Sequence, residues 1–146
     1  MSSDTDPQRP PPTALLIKWA DMAARSQLEA AVRPWRLSSG QMLVLYTLDR
    51  FGAASSADLA RALHLTPQAM TTLLHPLEER GVIAREADRN NRRRLSVSLS
   101  DAGRALLAEV RATTDQVDVA ITATLSPDER EQLRALLGKI AAAPRV

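Results

Sequence analysis

Apolar positions along the chain change period twice, and the changes mark out the elements. Leu15, Leu16, Trp19, Met22, Ala23 and Ala30 share one helical stripe between Thr13 and about Arg33, where Pro34 closes the segment. Trp35-Arg36-Leu37 then reads as a connection. Leu45, Leu48 and Phe51 precede Gly52, and Leu73, Leu74, Leu77 and Arg80 precede Gly81, so each glycine stands where a helix C-terminus is expected. From Leu95 the period drops to two: Leu95-Ser96-Val97-Ser98-Leu99 alternates apolar and polar, as a half-buried strand does. With Val82-Ile83-Ala84-Arg85-Glu86 before it and Asp88-Arg89-Asn90-Asn91 between, it predicts a β-hairpin with a polar turn. Helical spacing returns with Leu106, Val110, Val117 and Ile121, on one long helix from Asp101 to about Leu125. A last helix carries Leu133, Leu136, Leu137 and Ile140.

Capping chemistry sharpens the helix starts. Ser38-Ser39-Gly40-Gln41 fits a capping box, and Ser55-Ser56-Ala57-Asp58 places an acid three residues after its cap. Thr66-Pro67 sets a hydroxyl before a proline at the first helical position, and Ser126-Pro127-Asp128-Glu129 combines all of these features. Each side-chain oxygen satisfies an N–H that has no partner inside the helix, and the acids favour the positive end of the helix dipole. Helices are therefore expected to start near residues 39, 56, 67 and 127.

The segment 56–80 consequently reads as a short helix, the turn His64-Leu65-Thr66 and a second helix, with the hairpin following at once. Two helices joined by so short a turn form a helix-turn-helix, whose second helix can lie in a DNA major groove. Met70, Leu73, Leu74 and Leu77 supply its core-facing stripe. Opposite lie Gln68, Thr71, Thr72 and His75, uncharged hydrogen-bonding groups suited to base edges, with Thr66 at the helix start. An ordinary solvated polar face is the plain alternative, though no Lys, Glu or Asp occurs from Thr66 to Leu77. Arg89, Arg92, Arg93 and Arg94 sit at the hairpin tip and on its return strand. Their planar, permanently charged guanidinium groups suit phosphates and narrow minor grooves; a merely solubilising turn is the competing reading. The two signals together, contiguous and in this order, are more specific than either part.

Composition narrows the field further. With 146 residues the chain can bury one core but not two. Aromatics make up 3% of it, so Leu, Ala, Val, Ile and Met must build that core, and Leu and Ala favour helix. The absence of cysteine excludes disulfides, thiolate metal sites and thiol redox sensing. Two histidines, His64 and His75, are too few for a His-rich metal site, and no cofactor is implied. His64 is read as a turn residue. The formal charge is only +2, yet five arginines fall between Arg85 and Arg94 against Glu86 and Asp88, which points to one anionic contact region. Glycines form neither a GxGxxG nor a P-loop pattern, and no nucleophile–base pair stands out, so an enzyme is not indicated.

The fold expected is mainly α with a small β-hairpin: a winged helix-turn-helix core over about 38–100, flanked by helices at about 13–33 and 101–142, in a single domain over 13–146. Those flanking helices carry more apolar stripe than one small domain can cover, so a homodimer is expected. Residues 1–12, polar and Pro-rich, read as a disordered tail. Neither a signal-peptide core nor a membrane-length apolar run is present, which suggests a cytoplasmic protein.

The run from Ser55 to Gly103 resembles the DNA-binding core of the MarR family, most closely in Asp58-Leu59-Ala60, Thr66-Pro67, Leu77-Glu78-Glu79-Arg80-Gly81-Val82-Ile83 and Leu99-Ser100-Asp101-Ala102-Gly103. Leu37 to Leu45 is similar to that family's second helix, and the likeness extends over roughly residues 13–142. It implies a homodimer on double-stranded DNA at a pseudo-palindromic operator, with a recognition helix in the major groove and a wing reaching the minor groove. It also implies a small aromatic or phenolic effector between the dimerisation helices and the DNA-binding lobe, near Trp19 and Trp35 by helix order. Core packing is the simpler role for both tryptophans. Asn91 stands where family wings usually carry an acid, which leaves the wing's geometry open. Thr72 stands where relatives often have Arg, and Pro76 where they often have a basic residue. Pro76 removes an N–H that would bond to Thr72, so a kink or loosening of the helix is expected. A protein-interaction module on the same fold, and a non-specific architectural DNA binder, are the competing functions.

Overall fold

A computed structural model describes residues 10–88 and 90–142. Most of the expected N-terminal tail, and Arg89 among the candidate DNA contacts, lie outside the described residues. Six helices and one hairpin follow in the order α1 (Thr13–Val32), α2 (Ser39–Phe51), α3 (Ser56–Ala62), α4 (Pro67–Glu79), β1 (Ile83–Ala87), β2 (Leu95–Leu99), α5 (Asp101–Ile121) and α6 (Pro127–Ala141). The expected class, mainly helical with one antiparallel hairpin, is what forms.

Each of the four anticipated helix starts is built by its cap. Ser38 accepts the Gln41 N–H at 3.1 Å while Gln41 Oε1 accepts the Ser38 N–H at 2.9 Å, a complete capping box. Ser126 and Glu129 repeat the box at α6, while Ser55 and Thr66 cap α3 and α4 by accepting the N–H of Asp58 and of Ala69. The ends are equally local. After α4, the Gly81 N–H returns to Glu78 O and the Val82 N–H to Leu77 O, both at 2.9 Å, with Gly81 at φ 66°. That left-handed residue closes a Schellman motif and throws the chain into β1. The turn after α3 repeats the device with His64 at φ 55°, so His64 is indeed a turn residue, in a conformation that His tolerates better than most.

As expected, α1 ends ahead of Pro34, at Val32, and Arg33–Trp35 adds a 3-10 turn within the connection. One boundary departs from the expectation. The fifth helix ends at Ile121 rather than near Leu125. There the Asp118 carbonyl accepts both the Thr122 N–H at 3.2 Å and the Thr122 hydroxyl at 2.6 Å, and the Ala123 N–H turns to Ala120 O. The buried face of α5 is Leu107, Val110, Thr114 and Val117, with Leu106 half-buried and Ile121 exposed.

The core lies between α2, α3, α4, the hairpin and α5. Leu45, Leu59, Met70, Leu74, Leu77, Val97, Leu107 and Val110 are almost fully buried in it. In the hairpin Ile83 pairs with Leu99, Arg85 with Val97 and Ala87 with Leu95. Leu95 faces the same side as Val97 and Leu99 but lies beyond the core, and is exposed. Ala54, in the α2–α3 loop, exchanges two backbone hydrogen bonds with Val97 and so pins the stem of the hairpin to the helices. Gly103 places α5 directly on the hairpin: a Cβ there would come 2.0 Å from the carbonyl oxygen of Val82. By contrast the apolar stripe of α1 points outward, and α6 buries no residue.

Candidate nucleic-acid interface

Helices α3 and α4, with the turn at His64, make the expected helix-turn-helix. Met70, Leu74 and Leu77 anchor α4 in the core and Leu73 is half-buried, which leaves Gln68, Thr71, Thr72 and His75 exposed along the opposite side. The hydroxyls of Thr71 and Thr72 donate back to Pro67 O and Gln68 O, each at 3.0 Å. These bonds hold both rotamers, while the oxygens keep acceptor capacity and the methyl groups stay available to an apolar partner. His75 Nε2 lies 3.4 Å from Glu79, one turn on. Pro76 does not interrupt the helix, which runs on to Glu79. The missing N–H removes one rung close to the C-terminus, and the buried Leu74 and Leu77 on either side keep the segment in place.

The end of α4 is clamped from a distance. Arg80 donates to Trp35 O and Arg36 O, both at 2.9 Å, joining it to the connection between α1 and α2. Sequence reasoning treats Arg80 as a helix-end cation and misses this role, because two carbonyls more than forty positions away leave no local signal.

The hairpin tip is built by acceptors. Asp88 Oδ1 accepts the N–H groups of Asn90 and Asn91 at 2.7 and 3.2 Å, and Asn91 Oδ1 accepts the Arg93 N–H at 3.2 Å. An Asx-type turn is therefore formed with Asn91 at the position where an acid was expected. Its arginines divide into two kinds. Arg92 and Arg93 are exposed and make no ion pair or side-chain hydrogen bond among the described residues. Arg85 pairs with Glu78 of α4 at 2.9 Å, and Arg94 Nη2 donates to Asp58 and to Ser55 Oγ of α3, both at 3.0 Å. Asp58 also receives Arg61 and the Ser55 hydroxyl. Hydrogen bonding from Ser55 is the main cause holding the Asp58 carboxyl below its ordinary range; Arg94 and Arg61 add to it. Sequence reasoning gives Asp58 only a helix-start role.

The tryptophans are not brought to one site. Trp19 is 56% exposed on α1, against the expectation of core packing, because nothing in the single chain covers that face. Trp35 is half-buried and donates to Glu109 at 3.3 Å. A cleft of about 450 Å³ opens instead between α1, α2 and α4, lined by Met22, Arg25, Ser26, Glu29, Ser39 and Leu73 among others. Glu29 accepts the Ser39 N–H at 2.7 Å across it, and this bond is the main reason its carboxyl lies below the ordinary range.

Comparison with known proteins decides what this arrangement belongs to. The model of the MarR family matches residues 37–95, which run from just before α2 to the first residue of β2. The HTH-type transcriptional repressor Rv2887 of Mycobacterium tuberculosis is 32% identical over 129 residues, covering 88% of this chain and 93% of that protein. The chain belongs to the MarR family. A crystal structure of that MarR-family protein in complex with salicylic acid has 31% identity, a TM-score of 0.75, and covers 90% of this chain and 97% of that one. BpsR of Bordetella bronchiseptica, in a structure concerned with regulation of its DNA binding by 6-hydroxynicotinic acid, has 26% identity and a TM-score of 0.78, covering 91% and 95%. The apo form of Escherichia coli MarR, at 22% identity and a TM-score of 0.80, covers 90% of this chain and 98% of its own, and shares the fold. In this MarR-family regulator the matched segment contains the helix-turn-helix of α3 and α4 and the first strand of the hairpin. No helix among its described residues is long and apolar enough to cross a membrane.

Proposed function

We propose that the protein is a homodimeric transcriptional repressor that binds a pseudo-palindromic operator in double-stranded DNA. In this reading Thr66, Gln68, Thr71, Thr72 and His75 meet base edges and backbone in the major groove, while Arg92 and Arg93 reach the minor groove or its phosphates, with Arg89 beside them. The observation that supports it is the division of labour at the surface: an exposed α4 face with no Lys, Arg, Glu or Asp from Thr66 to Leu77, next to a hairpin tip where Arg92 and Arg93 have no ion-pair partner among the described residues. Base edges are read by hydrogen-bonding groups, and affinity comes from cations at phosphates.

The dimer rests on the outward apolar faces of α1 and α6. Leu15, Leu16, Trp19 and Met22 on one, and Leu133, Leu136, Leu137 and Ile140 on the other, are all more than a third exposed in the single chain. Apolar surface of that extent marks an interface. α1, α5 and α6 are then the dimerisation helices, and action on DNA places the protein in the cytoplasm.

A small aromatic acid is the effector class that suits the cleft beside α1. Met22 and Leu73 offer apolar walls, Arg25 a cation, and Ser26 and Ser39 polar contacts. Rv2887 in complex with salicylic acid, and BpsR, whose DNA binding is regulated by 6-hydroxynicotinic acid, involve small molecules of this kind. Trp19 lies one turn before Met22 on α1, whereas Trp35 is engaged with Glu109.

Band shifts on genomic fragments at two salt concentrations test the proposal. Selective binding that weakens with salt supports it; sequence-blind binding indicates an architectural protein, and no binding an interaction module. Release of a selected fragment by salicylate, lost in Arg25→Ala, supports the effector site, and release that survives Arg25→Ala removes Arg25 from it.

A further inference from the structure

Arg94 occupies an unusual place among the wing arginines. Its backbone closes the tip loop from both sides, the Asp88 N–H donating to Arg94 O at 2.7 Å and the Arg94 N–H to Asn91 O at 2.8 Å. Its guanidinium leaves the hairpin for the N-terminus of α3, where Nη2 meets Ser55 Oγ and Asp58 Oδ2, each at 3.0 Å. The receiving pair is itself set: Ser55 is buried, caps α3 by accepting the Asp58 N–H at 3.1 Å, and donates its hydroxyl to Asp58 Oδ2 at 2.6 Å.

The other ties between wing and helices lie lower. Ala54 bonds to Val97, and Arg85, the partner of Val97 across the hairpin, reaches Glu78. Lower still, the Ser100 N–H on Val82 O seats the root on α5, so these ties hold the hairpin from its root up to the level of Val97 and leave the part beyond it unbraced. Arg94 is three residues nearer the tip than Val97, and a tie there fixes the direction of that part. Asp88 cannot do this from within the wing, because its Oδ1 is directed at the N–H groups of Asn90 and Asn91.

We propose that Arg94 is a positioning residue and not a phosphate contact: held by Asp58 and Ser55, it sets the angle at which the wing delivers Arg92 and Arg93 to DNA. The inference rests on the DNA-binding reading above. A guanidinium already neutralised by Asp58 would have to give up that pair to reach a phosphate, so it releases no counterion when DNA binds.

The effect of Asp58 has a sign that separates the two roles. Removing a carboxylate near DNA should tighten binding by simple charge. If Asp58 holds the tether, Asp58→Asn should weaken binding instead. The test uses the full chain and a selected operator, with Kd measured across salt for wild type, Asp58→Asn, Arg94→Gln, the double variant and Arg92→Ala. Asp58→Asn and Arg94→Gln are each expected to weaken binding by about three- to tenfold, without adding in the double variant, as residues in one ion-pair network do. Their log–log salt slopes should match wild type, whereas Arg92→Ala in both subunits should flatten the slope by up to about 1.8. Hydrogen exchange on the DNA-free protein gives an independent readout: the amides of Asp88 and Arg94 should exchange faster in Asp58→Asn, with α4 unchanged. A flattened slope in Arg94→Gln, with unchanged or tighter binding by Asp58→Asn, would make Arg94 a phosphate contact and overturn the inference. Absence of binding by wild type would instead sink the DNA-binding reading, and the tether's purpose with it.

Discussion

The central lobe and the end helices of this chain use similar sequences to opposite effect. From α2 to the first half of α5, most apolar residues at helical or strand spacing find a neighbour: Leu45, Leu59, Met70, Leu74, Leu77, Val97 and Leu107 are almost fully buried, with Leu43, Phe51 and Leu95 left exposed. In α1 only Val32 is buried, and α6, with its complete capping box, buries nothing. A helix of the length of α6 is marginal in water on propensity and caps alone. The contrast teaches that caps decide where a helix starts, whereas its face acquires meaning only from what covers it. The lobe supplies its own cover. In the proposed dimer the ends would be covered by a second copy.

The strongest way to break that contrast is to charge the uncovered face. Leu136→Asp with Leu137→Asp places four carboxylates in a two-fold interface, each costing several kcal/mol when desolvated. Sedimentation should then give a monomer at micromolar concentration where wild type gives a dimer, while circular dichroism retains the lobe's helices; a variant that remains dimeric would move the interface off α6. Next comes the lobe itself. Leu74→Ala, at a side chain with no exposure, should cost about 2–5 kcal/mol in thermal or urea unfolding. A loss below about 1 kcal/mol would mean that the lobe, too, depends on its partner for cover. Within the lobe's surface, Gln68→Ala should relax preference at particular base pairs by about 1–3 kcal/mol, read by competition between operator variants. Unchanged selectivity in Gln68→Ala, Thr71→Ala and Thr72→Ala alike would remove α4 from base reading. The smallest effect on folding belongs to the wing tip. Arg92→Ala with Arg93→Ala should shift stability by less than about 0.5 kcal/mol. The same pair should flatten the log–log salt slope of binding by up to about 3.6, from four phosphates at about 0.9 each. Wild-type affinity and slope in that variant would make the tip a solvated turn.

What could be read in the sequence follows the range of the interaction that decides it. Ser38, Ser55, Thr66 and Ser126 act on an N–H three residues away, so the starts of α2, α3, α4 and α6 were legible to the residue. Period-two spacing likewise located β2. The polar face of α4 was legible too, since a stripe of Met70, Leu74 and Leu77 leaves its opposite side to solvent. Periodicity does not say whether a face has a neighbour, which is why Trp19 reads as core material and stands exposed. Nor does it choose between partners of one charge. Arg92, Arg93 and Arg94 are indistinguishable as a run, and only the fold brings Asp58 to the third of them.

The seat of α5 on the hairpin has a mechanical consequence. At Gly103 the contact is backbone against backbone, with the Ser100 N–H on Val82 O at 3.1 Å and the Ser100 hydroxyl on Gly81 O at 2.5 Å beside it. A joint padded by side chains can absorb a small displacement by changing rotamers; here the Gly103–Val82 contact itself has no rotamer to change. Packed backbone transmits strain where soft contacts would dissipate it. The long helix and the root of the wing therefore behave as a gear pair without backlash, in which a tilt at one is delivered to the other undiminished.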